Sequence, residues 1–439
     1  MRPEIGIGLV GFGTVGSGVY RILTRNASLI RRRVGGAVKV KGILVKDHSK
    51  RRTHALPRQL VVKHYAELLK NPEIQIIVEL VGGVVFAKKI IIEALRAKKH
   101  VVTANKALIA LHGKEIFQLA EKNNVDIFFE AAVGGGIPIL RSIREGLAAN
   151  HIRSIHAIVN GTCNFILTAM EEANLSFEAA LQQAKAMGFA EADPRFDIEG
   201  TDAAHKLAIL VGLSQGGYVN FKKIHHVGIK AISVYDIQMA KRFGYKIKLL
   251  AVAKSQGGKG IEAWVGPTLV PQGSMLAAVH GSNNAALVEG DYVGRTLFYG
   301  QGAGSYPTAS AVVGDIMEVV RNLYADDDLS YTVPPLGHFD LHHQEANILP
   351  GLLGPSHYYL RFQVVDKPGV LGKITGILGR CGVGIQAVHQ DLKQIGKKSP
   401  VALLTHVASQ DKLKKAVLAI DRLAVVFEPT LVMPVEPNL

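Results

Sequence analysis

A chain of 439 residues has the length of two to four ordinary domains, which excludes a single small module. Hydrophobic residues make up 48%, charged residues 20% and aromatics 6%, a balance that can bury large cores and excludes extensive disorder. Lys and Arg number 51 against 36 Asp and Glu, a formal charge of +15 that favours anionic partners; the basic residues are scattered, with short runs such as Arg31-Arg32-Arg33 and no interleaved aromatics, so a phosphate-bearing cofactor is expected and nucleic acid is not.

In chain order, residues 5–10 read as an apolar strand, 15–30 as a helix, 38–45 as a strand, 66–70 as a helical stretch, 74–81 as a strand, 87–97 as a helix and 100–103 as a strand. This alternation predicts a parallel, doubly wound nucleotide-binding sheet with crossover helices. From about 135 to 300 the segments lengthen, with helices over 177–187 and 202–213 and a strand over 249–254, and predict a second domain with its own sheet. Residues 300–324 open glycine-rich and continue as a helix that returns the chain to the first domain. Residues 325–356, rich in Asp, Pro, Gly and His, read as a solvated linker. It carries His338, His342 and His343, which have no acidic or cysteine partner to complete a metal site. Beyond it, strand 358–364, a helix opened by Pro368, strands 383–390 and 401–408, helix 411–423 and strand 425–432 give βαββαβ.

Two cysteines, Cys163 and Cys381, supply no disulfide framework, so a reducing, cytoplasmic setting is expected. The N-terminus is basic and then apolar like a signal peptide, but its glycines argue against one. No apolar run reaches the roughly 18 to 20 residues of a membrane span, and a soluble protein is expected.

Gly11, Gly13 and Gly16 form G-x-G-x-x-G between the first strand and the first helix. The first glycine permits a tight turn, the second lets backbone approach a pyrophosphate, and the third lets helix and strand pack closely, which predicts dinucleotide binding. The ribose reader belongs at the end of the second strand, where an acid favours NAD and a base NADP. Lys46 and Asp47 are adjacent there; with Lys50, Arg51 and Arg52 close by, the reading leans towards NADP over NAD.

Residues 184–206, AKAMGFAEADPRFDIEGTDAAHK, gather Glu191, Asp193, Asp197, Glu199 and Asp202 and end in Lys206. Asp202 and Lys206 are four apart and share a helix face, which by spacing alone describes an ordinary surface ion pair. The full pattern A-x3-G-F-A-x2-D-P-x2-D-I-x-G-x-D-x3-K resembles the signature of the homoserine dehydrogenase family. VVTANKALIA at 101–110, FFEAAVGGGIPIL at 128–140, IVNGTCNFIL at 158–167 and GAGSYPTASAVVGDI at 302–316 are similar to the same family, and DKPGVLGKI at 366–374 looks like part of an ACT regulatory module.

The resemblance implies reversible hydride transfer between NAD(P)H and L-aspartate 4-semialdehyde, giving L-homoserine. The α/β fold it implies has a Rossmann-type doubly wound parallel sheet in 1–134, completed by 302–325, and an α+β substrate-binding and oligomerisation domain in 135–301. A linker over 326–356 and a ferredoxin-like ACT domain in 357–439 complete it. It makes Lys206 the proton acceptor and donor, with Asp202 beside it and Lys106 at the junction of cofactor and substrate. Burial or a cation such as Lys106 lowers a lysine pKa and Asp202 raises it, so the sequence leaves the net direction open. The implied cofactor site is Gly11, Gly13, Thr14, Val15, Gly16, Lys46, Thr103, Lys106, Gly302 and Gly304; the substrate site is Gly188, Glu191 and Asp202, with Glu191 on the substrate ammonium. A structural sodium ion is implied at Glu130, Val133, Gly135 and Ile137, L-threonine as an effector of the ACT domain, and a homodimer or homotetramer as the assembly. Two rival readings remain: acyl-enzyme chemistry of a semialdehyde dehydrogenase at Cys163 with His156, and a nucleotide sensor without turnover, against which the intact Glu191, Asp202 and Lys206 argue.

Overall fold

The computed structural model describes residues 2–47, 54–325, 334–339, 344–349, 354–390 and 399–439. Lys50, Arg51, Arg52, His342 and His343 lie outside the described residues, as does the tip between the strands that follow the Pro368 helix.

Six parallel strands form the first sheet: β1 (Ile5–Val10), β2 (Val38–Leu44), β3 (Val61–Val62), β4 (Ile74–Glu79), β5 (His100–Thr103) and β6 (Ile127–Phe128), in the spatial order β3-β2-β1-β4-β5-β6. Every residue of β1 is buried because helices cover both faces, which is why the strand reads as a continuous apolar run. On one face Ile7 and Leu9 pack with Val312 and Ile316 of the helix Ser305–Tyr324. That helix also lies against Thr14–Arg25, on the first sheet. The single helix expected over 15–30 is two, Thr14–Arg25 and Ala27–Val34, because Asn26 adopts a non-helical cap conformation between them.

Among the described residues the remaining strands are β7 (Ile152–Ile158), β8 (His225–His226), β9 (Tyr245–Ser255), β10 (Ile261–Pro271), β11 (Asn283–Gly290), β12 (Gly294–Gln301), β13 (His357–Val364), β14 (Ile385–Gln390), β15 (Ser399–Thr405) and β16 (Leu431–Val435). They form one ten-stranded sheet in the order β12-β11-β7-β9-β10-β16-β13-β15-β14, with β8 on β10. The separate sheets expected for the second domain and for the last 80 or so residues are therefore corrected. The join is β16, which pairs antiparallel with β13 and parallel with β10 through Leu269 and Val435. Two polar ties reinforce it. Glu436, just past β16, sets its carboxylate 2.6 Å from Lys254 and 3.5 Å from His156. On β13, Tyr359 Oη donates to Asp236 Oδ1 at 2.9 Å and Arg361 Nε lies 3.0 Å from the same oxygen.

The expected solvated linker is also corrected in part. Residues 334–339 and 344–349 pack on the body: Leu336, Ala346 and Ile348 are buried, and Glu345 and Ile348 bridge to Tyr218 and Ile261. Within the linker, His338 lies against Gly216. Among the described residues no helix is long and apolar enough to cross a membrane.

Between the two sheets runs the helix Thr201–Gln215, in contact with Lys106–Lys122 on one side and with β9 and β10 on the other. Its residues from Asp202 to Leu213 are all buried, which requires apolar residues on every side and leaves Asp202, His205 and Lys206 as exceptions needing partners.

Candidate active site

At the end of β1 the backbone turns at Gly11 with φ +104°, a conformation suited to glycine, and a Cβ there would lie 2.7 Å from the carbonyl oxygen of Leu80. A Cβ on Gly16 would lie 2.2 Å from the carbonyl oxygen of Gly11, so the third glycine lets the helix Thr14–Arg25 seat on the turn. Gly13, the N-cap of that helix, has no described heavy atom within 4 Å of where its Cβ would stand, and no side chain among the described residues caps the helix, so its first-turn N–H groups are left without a side-chain partner. Ser305 Oγ donates to the carbonyl of Thr14 at 2.7 Å, which brings the second glycine stretch, Gly302 and Gly304, alongside the first. Gly16→Ala is expected to lower stability by about 1–3 kcal/mol, read by thermal unfolding, and to weaken binding of a reduced dinucleotide at least about tenfold in a fluorescence titration.

The parallel strand ends supply the rest of the crevice. Thr103 Oγ1 donates to the buried Glu79 Oε2 at 2.6 Å and accepts from the backbone N–H of Asn105 at 3.0 Å. Asn105 then caps the helix Lys106–Lys122 by accepting from Leu108 N at 3.1 Å. This fixes Lys106 on the first turn beside Thr103. At the end of β2, Lys46 and Asp47 are both exposed.

Lys106, 36% exposed, reaches across from the first sheet to Asp202, its Nζ 2.6 Å from Oδ1. From the second, Lys206 donates to Asp202 Oδ2 at 2.8 Å and to the carbonyl of Val159 at 2.6 Å. The surface ion pair suggested by spacing is thus a buried carboxylate between two ammonium groups. Burial acts to raise the Asp202 pKa, but the two lysines outweigh it and hold the carboxyl well below the usual range. For Lys206 burial dominates and, helped by Lys106, lowers the pKa against the pull of Asp202, which settles the direction the sequence left open. At Lys106 burial works downward, but Asp202, with Asp197 and Glu191, raises the pKa.

Asn160 ends the turn after β7 and caps the helix Gly161–Glu172, accepting from Cys163 N at 2.8 Å. Its Nδ2 donates to Asp197 Oδ1 at 2.7 Å and to Asp202 Oδ2 at 2.8 Å. Glu191 and Gly188 are exposed on the loop before Pro194. Asp193 holds Arg195 at 2.6 Å on the surface and orders that loop rather than entering the cluster. The sequence reading gave Asn160 no part in the site, nor the aromatic group of Phe196, His205 and Phe221, whose rings lie 5.3 Å and 4.3 Å to either side of His205. Burial lowers the His205 pKa to about 4 and keeps the ring neutral.

The proposed Cys163 and His156 couple does not form. His156 faces Glu436, whereas Cys163 is fully buried and donates its thiol to the carbonyl of Asp197 at 3.3 Å. Burial, with the Asp197 and Asp202 charges, pushes that thiol well above its ordinary pKa, so it is a packing residue and no nucleophile.

In the loop 130–137, both Glu130 carboxylate oxygens accept backbone N–H groups, from Leu140 at 2.9 Å and Arg141 at 2.7 Å. Glu130 N donates to Asp315, whose carboxyl is pushed up to about 8 by burial and the neighbouring Glu130 charge. The carbonyl of Ile137 accepts from Ile139 N, while among the described residues no hydrogen bond reaches the carbonyls of Val133 or Gly135. Asn284, buried with neither side-chain polar atom partnered among the described residues, lines a small cavity with Val133, Gly134 and Ile137.

Comparison with known proteins follows the same division. Residues 11–130 match the family model described as "Homoserine dehydrogenase, NAD binding domain" and residues 138–317 the one described as "Homoserine dehydrogenase". A homoserine dehydrogenase of Neisseria gonorrhoeae is 44% identical over 436 residues, covering 99% of each chain. The crystal structure of a homoserine dehydrogenase from Thiobacillus denitrificans is 41% identical, covers 99% of each chain and superposes with a TM-score of 0.90. A hyperthermophilic archaeal homoserine dehydrogenase in complex with NADPH is 28% identical, covering 74% of this chain and 99% of its own, with a TM-score of 0.62.

Proposed function

The chain belongs to the homoserine dehydrogenase family, and from that premise we propose that Lys206 moves the proton while hydride passes between homoserine and the nicotinamide. Membership makes the protein an NAD(P)-dependent oxidoreductase that interconverts L-homoserine and L-aspartate 4-semialdehyde. The single observation that carries the assignment of roles is Asp202 held between Lys106 and Lys206 where the two sheets meet.

A neutral Lys206 amine donates its two hydrogens to Val159 and Asp202, which leaves its lone pair for the substrate hydroxyl. In oxidation the hydroxyl proton passes to Lys206 as hydride leaves the same carbon for the nicotinamide; in reduction the ammonium returns a proton to the carbonyl oxygen. Burial lowers its pKa from the ordinary lysine value, which favours the neutral amine that oxidation needs. Asp202 fixes the amine and neutralises the ammonium; Lys106, on the other oxygen of Asp202, aids the lowering and is assigned to the junction of nicotinamide and substrate. Glu191, whose charge acts on Lys106, is the partner for the substrate ammonium, with Gly188 closing the pocket.

The dinucleotide lies on Gly11, Gly13, Thr14, Val15, Gly16, Lys46, Thr103, Lys106, Gly302 and Gly304. NADP is the preferred form because Lys46 stands exposed at the ribose end of β2 and more basic residues follow it. A sodium ion is expected at the loop 130–137, where among the described residues the carbonyls of Val133 and Gly135 accept no hydrogen bond and are left for a hard cation. Glu130, Val133, Gly135 and Ile137 would hold it, ordering the loop under Gly302.

Residues 357–439 are an ACT domain in chain order βαββαβ, with L-threonine the expected effector at the start of the helix Val370–Arg380, and the assembly is a homodimer or homotetramer. The protein works in the cytoplasm. Initial rates of L-homoserine oxidation are expected to be at least about tenfold higher in kcat/KM with NADP than with NAD. Equal rates would remove the NADP preference, and no turnover with either cofactor would remove the assignment.

A further inference from the structure

We propose that Asn160 is a positioning residue for the reaction, its side-chain amide holding Asp197 and Asp202 in the one arrangement that presents Lys206 to substrate. The inference rests on the reading of Lys206 as the group that moves the proton.

Asn160 is 4% exposed and all of its polar atoms are engaged: Oδ1 accepts from Cys163 N, and the two Nδ2 hydrogens go to two different carboxylates. Turning the amide over would set its oxygen against both carboxylates, so the network fixes its orientation. Capping does not by itself call for asparagine, because Asp, Ser and Thr cap a helix comparably. The two carboxylates do. An aspartate would add a third negative charge to the group, and a serine hydroxyl is too short and has one hydrogen.

The preceding residue supplies the other half. Val159 accepts from Lys206 at 2.6 Å, so consecutive residues of one turn hold the lysine by a backbone carbonyl and its aspartate by a side-chain amide. Asp197 is further restrained by Thr162 Oγ1 at 3.4 Å and does not touch a lysine among the described residues. Without the amide, Asp197 and Asp202 repel each other, Asp202 turns from Lys206, and the amine loses its aim.

Asn160→Ser and Asn160→Asp in the full chain test this, because both retain a capping oxygen. For Asn160→Ser, kcat is expected to fall about 10- to 100-fold with dinucleotide affinity within about twofold, and with a melting temperature lowered by the two lost hydrogen bonds but still above that of the assay. In Asn160→Asp the same fall is joined by a displacement of the acid limb of the kcat profile to higher pH. The charged groups that act on Lys206 are Asp202 on its own helix, Lys106 and Asp197, and Lys206 in turn acts on the buried Cys163 thiol. A new carboxylate among them holds the proton on Lys206, so the neutral amine needed for oxidation appears only at higher pH, by about one unit. A kcat within about twofold of the parent in Asn160→Ser, or an unmoved limb in Asn160→Asp, would overturn the proposal. Lys206→Ala is run in parallel: turnover that survives it removes the reading of Lys206 and this inference together. Parent-like Asn160 variants beside an inactive Lys206→Ala remove this inference alone.

Discussion

Lys206→Ala is expected to lower kcat for homoserine oxidation by about a hundred- to ten-thousandfold while dinucleotide binding survives. The amine is buried, fixed by two acceptors and lowered in pKa, so neither water nor Lys106 takes its place at the required distance: Lys106 is anchored on the other oxygen of Asp202 and its pKa is raised. The substitution removes a proton acceptor without touching the glycine turn, which is why a dinucleotide titration separates it from a folding defect. Measured kcat within about tenfold of the parent would place the proton transfer elsewhere.

Asp202→Ala is expected to cost about 3–5 kcal/mol of stability at neutral pH as well as activity, because it removes the one anion between the buried Lys206 and the half-buried Lys106, so that Lys206 must shed its proton or stand unpaired. The pH dependence has a definite sign. The folded Asp202 pKa lies below the unfolded value of about 3.9, so the carboxylate stabilises the fold at pH above that value, and its contribution is lost as pH falls through the folded pKa. Denaturant unfolding of parent and variant should therefore show a wide gap at neutral pH that narrows in strong acid. A constant gap would mean that the loss is one of packing rather than charge.

The parallel first sheet was legible because its strands are buried on both faces and read as apolar runs, and because Gly11 and Gly16 mark a turn with steric requirements that a sequence displays. The pairing of Asp202 with Lys206 was legible from helical spacing; its burial was not, since spacing carries no information about Lys106, which arrives from 96 residues earlier across the gap between the sheets. Asn160 was hidden for a related reason: an Asn before Gly reads as a cap or turn, and its second duty depends on two carboxylates distant in sequence. The fusion of the two later sheets escaped because β16 and β10 share one register pair, too little to leave a pattern in either strand. Tyr359 gave the hint: in a strand with one buried face it belongs to solvent, yet it is fully buried and bonded to Asp236.

The shared ten-stranded sheet also limits how the C-terminal unit can move. A lobe on a tether would swing about a hinge, but here β16 is hydrogen-bonded on both sides, Glu436 is clamped by Lys254, and Arg361 and Tyr359 are fastened to the helix that bears Asp236. The motion left to it is shear, a slip of strand along strand of the kind packed elements permit. Since β10 also carries β8, whose His226 ring lies 5.7 Å from that of Phe221 and so one aromatic from His205, a slip at the β16–β10 join would be felt next to the wall that holds His205.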